Sequence, residues 1–252
     1  MRRRAATVGS LVTAATFLAG CAVQAVRVDG GPGTIASRPG RPGFVVAAPH
    51  GQSDPRTGEI AAEVARRTGF GLVVATGFGL EPDRPDGPGR RFQVNRPFEG
   101  VPGTPASLDV PTAGAREVYE AYEAEVRRVA QGPLVLYVEL HGNNRRESAG
   151  RIEIATVGVD RDEAVRLRTL LELIRDAHLL HAPGAPRLVV LVEPADPVLY
   201  AASGAKRAGI LRLPRRALHI ELPRAARTEW RELYTAVVAE FVAEAAGLRR
   251  PH

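Results

Sequence analysis

The chain has one cysteine, one methionine, one tryptophan and very few aromatic residues, 5% of 252. The single cysteine, Cys21, has no partner for an internal disulfide. The single lysine, Lys206, lies in an Ala/Gly-rich stretch beside a large excess of arginine. A lysine Schiff-base mechanism would rest on that residue alone, with no evident neighbour to activate it. There is no GxSxG segment to form a serine nucleophile elbow. Charge of one sign is also scarce. The formal net charge is +6, and setting aside Arg2, Arg3 and Arg4 leaves 31 basic residues against 28 acidic ones. The remaining arginines are scattered and not interleaved with aromatics, so nucleic acid is excluded as the expected partner. What is present is ordinary for a globular protein, with 44% apolar and 25% charged residues, enough for one domain with a sizeable core.

The front of the chain reads as a targeting device. Arg2-Arg3-Arg4 is a basic start, followed by an apolar stretch from Val8 to Ala19 that is too short and alanine-rich for a spanning helix. Leu18-Ala19-Gly20-Cys21 resembles the bacterial lipobox, in which the cysteine is lipid-modified and becomes the new N-terminus. That resemblance implies a signal peptide over residues 1–20, a lipidated Cys21, and a membrane-anchored lipoprotein outside the cytoplasm, in the cell envelope. It also removes Cys21 as a catalytic thiol. Glycine and proline clusters up to residue 42 predict a flexible tether over 21–42, leaving 43–252 as a single folded catalytic domain.

Within that domain apolar runs alternate with amphipathic ones. Strands are predicted at Phe44–Ala48, Gly71–Thr76, Leu134–Leu140, Ile152–Val159, Leu188–Val192 and Ala217–Leu222. Helices are predicted at Thr57–Thr68, Thr112–Gln131, Asp160–His178, Val198–Arg207 and Ala225–Ala246, with Thr57 and Asp160 as N-caps and Gly69 as a stop. Residues 77–111 are rich in Gly, Pro and Asp and read as a long loop, a length more often functional than idle. The fold class is α/β, a mostly parallel or mixed central sheet flanked by helices on both faces.

Polar residues sit where such a sheet delivers side chains into a cleft. His50 follows the first strand, with Asp54 four residues on. This segment either closes around one ion or is a turn held by an Asx-type bond. His141 ends a strand in which alternation puts Tyr137, Glu139 and His141 on one side and Leu136, Val138 and Leu140 on the other. A glutamate buried in such a strand costs several kcal/mol unless paired. Glu139 therefore either orients a metal-bound histidine from behind or pairs with an arginine. Asn95-Arg96 forms an island in the long loop, a two-pronged clamp for a substrate carboxylate or else a surface arginine. Glu221 shares a strand face with His219, as a proton-transferring base or a satisfied buried carboxylate. Two histidines and a carboxylate suit Zn²⁺ with a fourth position left for water.

Four segments carry a family resemblance: PHGxxDxxTxEIA at 49–61, NRPFEG at 95–100, ELHG at 139–142 and HIEL at 219–222. Together they resemble the N-formylglutamate amidohydrolase and poly-γ-glutamate hydrolase group, related to the zinc carboxypeptidases. The resemblance implies one zinc per chain held by His50, Asp54 and His141, substrate carboxylate anchored by Asn95 and Arg96, and Glu221 as base. Two departures stand out. The carboxypeptidases place a glutamate three residues after the first histidine, whereas Asp54 is four on, which leaves Glu59 as an alternative ligand. A lipoprotein outside the cytoplasm is also expected to cleave something other than a cytoplasmic metabolite. The expected activity is hydrolysis of an amide C–N bond in a small carboxylate-bearing substrate (an N-acyl amino acid, a γ-glutamyl group or a peptide end). The competing expectations are a non-catalytic binding lipoprotein on the same fold, and an envelope interaction module whose polar strand residues are merely paired.

Overall fold

In the computed structural model, residues 23–28, 32–78 and 89–248 are described. The expected signal segment 1–20 and Cys21 lie outside them. In chain order the elements are β1 (Gln24–Arg27), β2 (Thr34–Arg38), β3 (Arg41–Ala48), α1 (Thr57–Thr68), β4 (Phe70–Thr76), β5 (Arg91–Phe92), β6 (Glu99–Gly100) and α2 (Ala113–Ala130). They continue as β7 (Leu136–Asn143), β8 (Arg151–Val157), α3 (Arg161–Leu179), β9 (Val189–Val192), α4 (Ser203–Ala208), β10 (Arg216–Pro223), α5 (Arg224–Arg227) and α6 (Arg231–Gly247).

Eight strands form one mixed sheet in the order β1-β2-β4-β3-β7-β10-β8-β9, and β5 with β6 make a separate two-stranded ribbon. The centre, β4-β3-β7-β10, is parallel throughout. β2 joins β4 antiparallel, and β8 joins β10 antiparallel.

Strand alternation sorts the core into two layers. Val46, Val138, Leu140, Leu218 and Ile220 face α1, α3 and α6. Val45, Ala47, Tyr137 and Ala217 face α2. Burying a leucine or valine fully contributes about 1.5–3 kcal/mol, so the first, wholly apolar layer is a main stabiliser of the sheet. Two helix starts, those of α2 and α3, are set by side-chain caps. Thr112 Oγ1 accepts the Ala115 N–H at 3.0 Å, and the Asp160 carboxylate accepts the Glu163 N–H at 2.8 Å. Such caps contribute about 1 kcal/mol each.

Three expectations are corrected. Residues 24–27 and 34–42 are not tether: β1 pairs with β2, β2 pairs with β4, and Ile35 and Ser37 are fully buried. The glycine at 40 serves close approach, since a Cβ there would lie 2.3 Å from the Phe70 carbonyl carbon. Thr57 is not an N-cap acceptor. Its hydroxyl donates to the Asp54 carbonyl at 2.8 Å, and the cap position is Arg56 in the left-handed region, φ 73. The predicted closing helix is broken, because Thr228 leaves helical backbone and separates α5 from α6. Lys206, which had no evident neighbour in the sequence, pairs with Glu193.

Candidate metal centre

Two parallel strands and one turn build the site. β3 runs out at Ala48, and the turn that follows is pinned by the Asp54 N–H donating to the His50 carbonyl at 2.8 Å. β7 carries Glu139 and His141 on its α2-facing side, as alternation requires, and β10 sets His219 opposite Glu139 and Glu221 opposite His141. Adjacent parallel strands in that register stack four ionisable side chains in two ranks.

The turn and β7 bring His50, Asp54 and His141 together, with one donor atom from each lying within 4.8 Å of the others. Asp54 Oδ2 is 3.5 Å from His50 Nδ1 and 3.3 Å from His141 Nδ1, and it accepts the Gly142 N–H at 3.2 Å. The rings of His50 and His141 meet edge to face, with centroids 5.0 Å apart. Each imidazole is oriented from behind. His50 Nε2 lies 3.1 Å from the Gln93 carbonyl, and His141 Nε2 lies 3.3 Å from Glu139 Oε2. A proton donated on each Nε2 leaves each Nδ1 with its lone pair facing Asp54. Two imidazole nitrogens and a carboxylate converging on one point are matched by a metal ion among them or, without one, by a proton between imidazole and carboxylate. The metal-free His141 imidazole holds that proton. Burial alone would lower its pKa, but hydrogen bonds to Asp54 and Glu139 outweigh burial and push it up to about 10. Asp54 goes the other way: burial would raise it, and the two histidines hold it far below the carboxylate range.

Glu139 is fully buried and has no arginine partner among the described residues. Its Oε2 meets His141, His219 at 3.0 Å and the Asn95 side-chain amide at 3.4 Å, while Oε1 accepts from Tyr137 at 3.1 Å. Tyr137 in turn meets Tyr122, hydroxyl to hydroxyl, at 2.9 Å. Burial would raise the Glu139 pKa, but the two histidines hold it down, so an anion persists beneath the site. Burial and that charge push both tyrosines well above their usual range, so they stay neutral donors.

Glu221 Oε1 lies 3.1 Å from His219 Nε2, and its Oε2 is buried without a partner among the described residues. Asn95 is likewise buried, with Oδ1 unpartnered. Val94 before it holds φ at 53, rare for a β-branched residue and costing about 1–3 kcal/mol, which turns Asn95 inward. Arg96 is not a free surface arginine. Its side chain is 18% exposed and lies 4.0 Å from Asp109, which also pairs with Arg91. Burial lowers its pKa against the pull of Asp109 and Glu139. The segment at α4 packs on it closely, since a Cβ at Gly209 would lie 2.2 Å from the Asn95 carbonyl oxygen and 2.9 Å from Arg96 Cβ.

A pocket of about 240 Å³ gathers these groups: His50, Asp54, Asn95, Arg96, His141 and Glu221 all line it. Glu139 lies beneath rather than in it. Glu59 takes no part; it is exposed and pairs with Arg56 and Arg231. The donor set fits a small borderline cation such as Zn²⁺, with two imidazole nitrogens, one carboxylate oxygen, and an open side toward the pocket.

His219 and Tyr200 also line the pocket, and neither was assigned a role from sequence. His219 was signalled by sharing a strand face with Glu221, and its ring lies 4.1 Å from that of His141. With Glu139 and His141 it forms a second, wholly buried set of donor atoms within 4.8 Å. Tyr200 comes from an irregular segment with no pattern to mark it.

No model of a known protein family matches the chain, and its sequence matches no curated protein. Solved structures are similar in fold. A bacteriophage poly-gamma-glutamate hydrolase is 13% identical with a TM-score of 0.49, over 86% of this chain and 89% of that one. A gene product of Agrobacterium tumefaciens is 17% identical with a TM-score of 0.42, over 90% and 93%. A metallo-carboxypeptidase from Burkholderia cenocepacia is 12% identical with a TM-score of 0.41, over 88% of this chain but 63% of that longer one. At these identities the similarity is one of chain path.

Proposed function

We propose that the protein is a zinc-dependent hydrolase of an amide C–N bond in a small carboxylate-bearing substrate: an N-acyl amino acid, a γ-glutamyl group or a peptide end. The observation that carries this reading is the convergence of His50 Nδ1, Asp54 Oδ2 and His141 Nδ1 at the wall of a pocket that also holds an unpartnered Glu221 oxygen. A bound zinc ion supplies Lewis acidity, polarising a carbonyl and lowering the pKa of water. The residues supply the rest. Arg96 and Asn95 hold the substrate carboxylate, a planar guanidinium donating two bonds beside an amide. Glu221 Oε2 takes a proton from the attacking water and delivers it to the departing amine nitrogen. Glu139 keeps His141 turned so that Nδ1 faces Asp54. The pocket's modest volume favours a small group or a chain end over a folded polypeptide.

Location outside the cytoplasm belongs to the same proposal and rests on Leu18-Ala19-Gly20-Cys21 behind a basic start. Lipid at Cys21 would anchor the domain to a membrane, and mass measurement of the N-terminal peptide checks it.

The test of catalysis is Glu221→Gln. Removing a general acid–base residue costs about 10²–10⁴-fold in rate. Zinc content should stay at the wild-type level while amide release falls by that factor. Intact turnover in a variant that retains its metal would overturn the assignment.

A further inference from the structure

A second pocket, about 450 Å³, lies across the Asp54–Pro55 and Gly142–Asn143 peptides from the metal centre, lined by Pro55, Asn143, Asn144 and four arginines: Arg145, Arg146, Arg224 and Arg227. Among the described residues no acidic side chain lines it. Several arginines elsewhere on the surface are neutralised: Arg66 and Arg67 share Glu63, Arg127 pairs with Glu123, and Arg128 with Glu125. Among the described residues no carboxylate lies within ion-pair distance of Arg145, Arg146 or Arg224, although Glu147 directly follows Arg146.

Arg227 is the buried floor. Its guanidinium donates to the carbonyls of Leu222, Pro55 and Asn143 and to Asn144 Oδ1, at 2.8–3.1 Å. A Cβ at Gly142 would lie 2.4 Å from its central carbon, so only glycine beside His141 admits it. Four neutral acceptors fix the group, and the carboxylates that oppose its charge, Asp54 and Glu221, act from beyond ion-pair distance. Asn143 gives an independent signal. It is 2% exposed, and among the described residues neither Nδ2 nor Oδ1 has a partner. A buried amide without partners is costly, and a bound oxyanion accepting from Nδ2–H relieves that cost. The two pockets also adjoin at the rim, where the Arg145 guanidinium sits 5.2 Å from the ring centroid of Tyr200, a wall of the metal pocket.

We propose that this arginine pocket is a substrate subsite for a second carboxylate, so that the natural substrate is extended and multiply acidic rather than a monocarboxylate. The inference rests on the hydrolase reading for its orientation: one carboxylate lies at Arg96, the scissile amide at the metal, and a further carboxylate among Arg145, Arg146 and Arg224. Arginine suits this because its planar fork meets a carboxylate with two bonds.

The test is binding of fluorescein-labelled tetraglutamate and tetraglutamine to the zinc-loaded chain by anisotropy, in the Glu221→Gln background so that cleavage does not consume the probe. Tetraglutamate should bind at least about tenfold more tightly than tetraglutamine, with that preference lost in Arg146→Ala/Arg224→Ala, each charge-assisted contact being among the strong ones. Both residues are exposed, so folding is not at risk. Removal of equal charge elsewhere, in Arg116→Ala/Arg161→Ala, should leave the preference intact. Equal binding of the two peptides, indifference to Arg146 and Arg224, or equal weakening by both double variants would overturn the subsite. Failure of the hydrolase reading shows separately, as absence of zinc, or as absence of turnover in the chain that keeps Glu221.

Discussion

The two faces of β7 and β10 make a controlled comparison, because they share backbone, register and burial. On one face Leu136, Val138, Leu140, Leu218, Ile220 and Leu222 pack against helices and carry no polar atom beyond the backbone. On the other, Glu139, His141, His219 and Glu221 occupy the intervening positions, buried to within a few per cent. Apolar contact on the first face gains free energy without direction. The second face recovers the cost of buried charge only through directed partners: carboxylate to imidazole, tyrosine to carboxylate. One face therefore stabilises the sheet, and the other, on the same strands, holds a charged constellation in place.

The comparison breaks most visibly if the apolar face is damaged. Leu140→Ala should cost about 2–5 kcal/mol of stability, read from denaturant unfolding, with zinc affinity of the folded fraction unchanged. Next in size is Glu139→Gln. It removes the anion that orients His141 and should weaken zinc binding about 10–100-fold, measured by chelator competition. Equal loss of zinc affinity in both variants would erase the distinction between the faces. Tyr122→Phe should be the mildest, deleting one hydroxyl partner of Tyr137 for about 0.5–1.5 kcal/mol of stability while Tyr137 continues to donate to Glu139.

Both faces were readable in the sequence for one reason: the side-chain period of a strand is two, so Tyr137-x-Glu139-x-His141 and His219-x-Glu221 declare themselves inside apolar runs. The alternating helices and strands followed from the same periodicities, and the cap at Asp160 sat at the expected boundary, whereas the one expected at Thr57 did not form. Other features had no such signal. β2 spans five residues with only Ile35 and Ser37 fully buried, too short an alternation to stand out among neighbouring glycines and prolines. The break after α5 depends on Thr228 adopting a non-helical backbone within a segment of helix-compatible residues. The arginine pocket joins residues more than seventy positions apart, Arg145 and Arg146 after β7 with Arg224 and Arg227 in α5, so only the parallel pairing of β7 and β10 brings it together.

The central claim is that Asp54 and the two histidines enclose a metal ion. Its most direct measurement is zinc per chain in the purified protein, beside His50→Ala and His141→Ala. The account predicts one zinc per chain in the wild type and loss in both variants, with secondary structure retained. Wild-type protein that stays metal-free after zinc is supplied and the excess removed would contradict it.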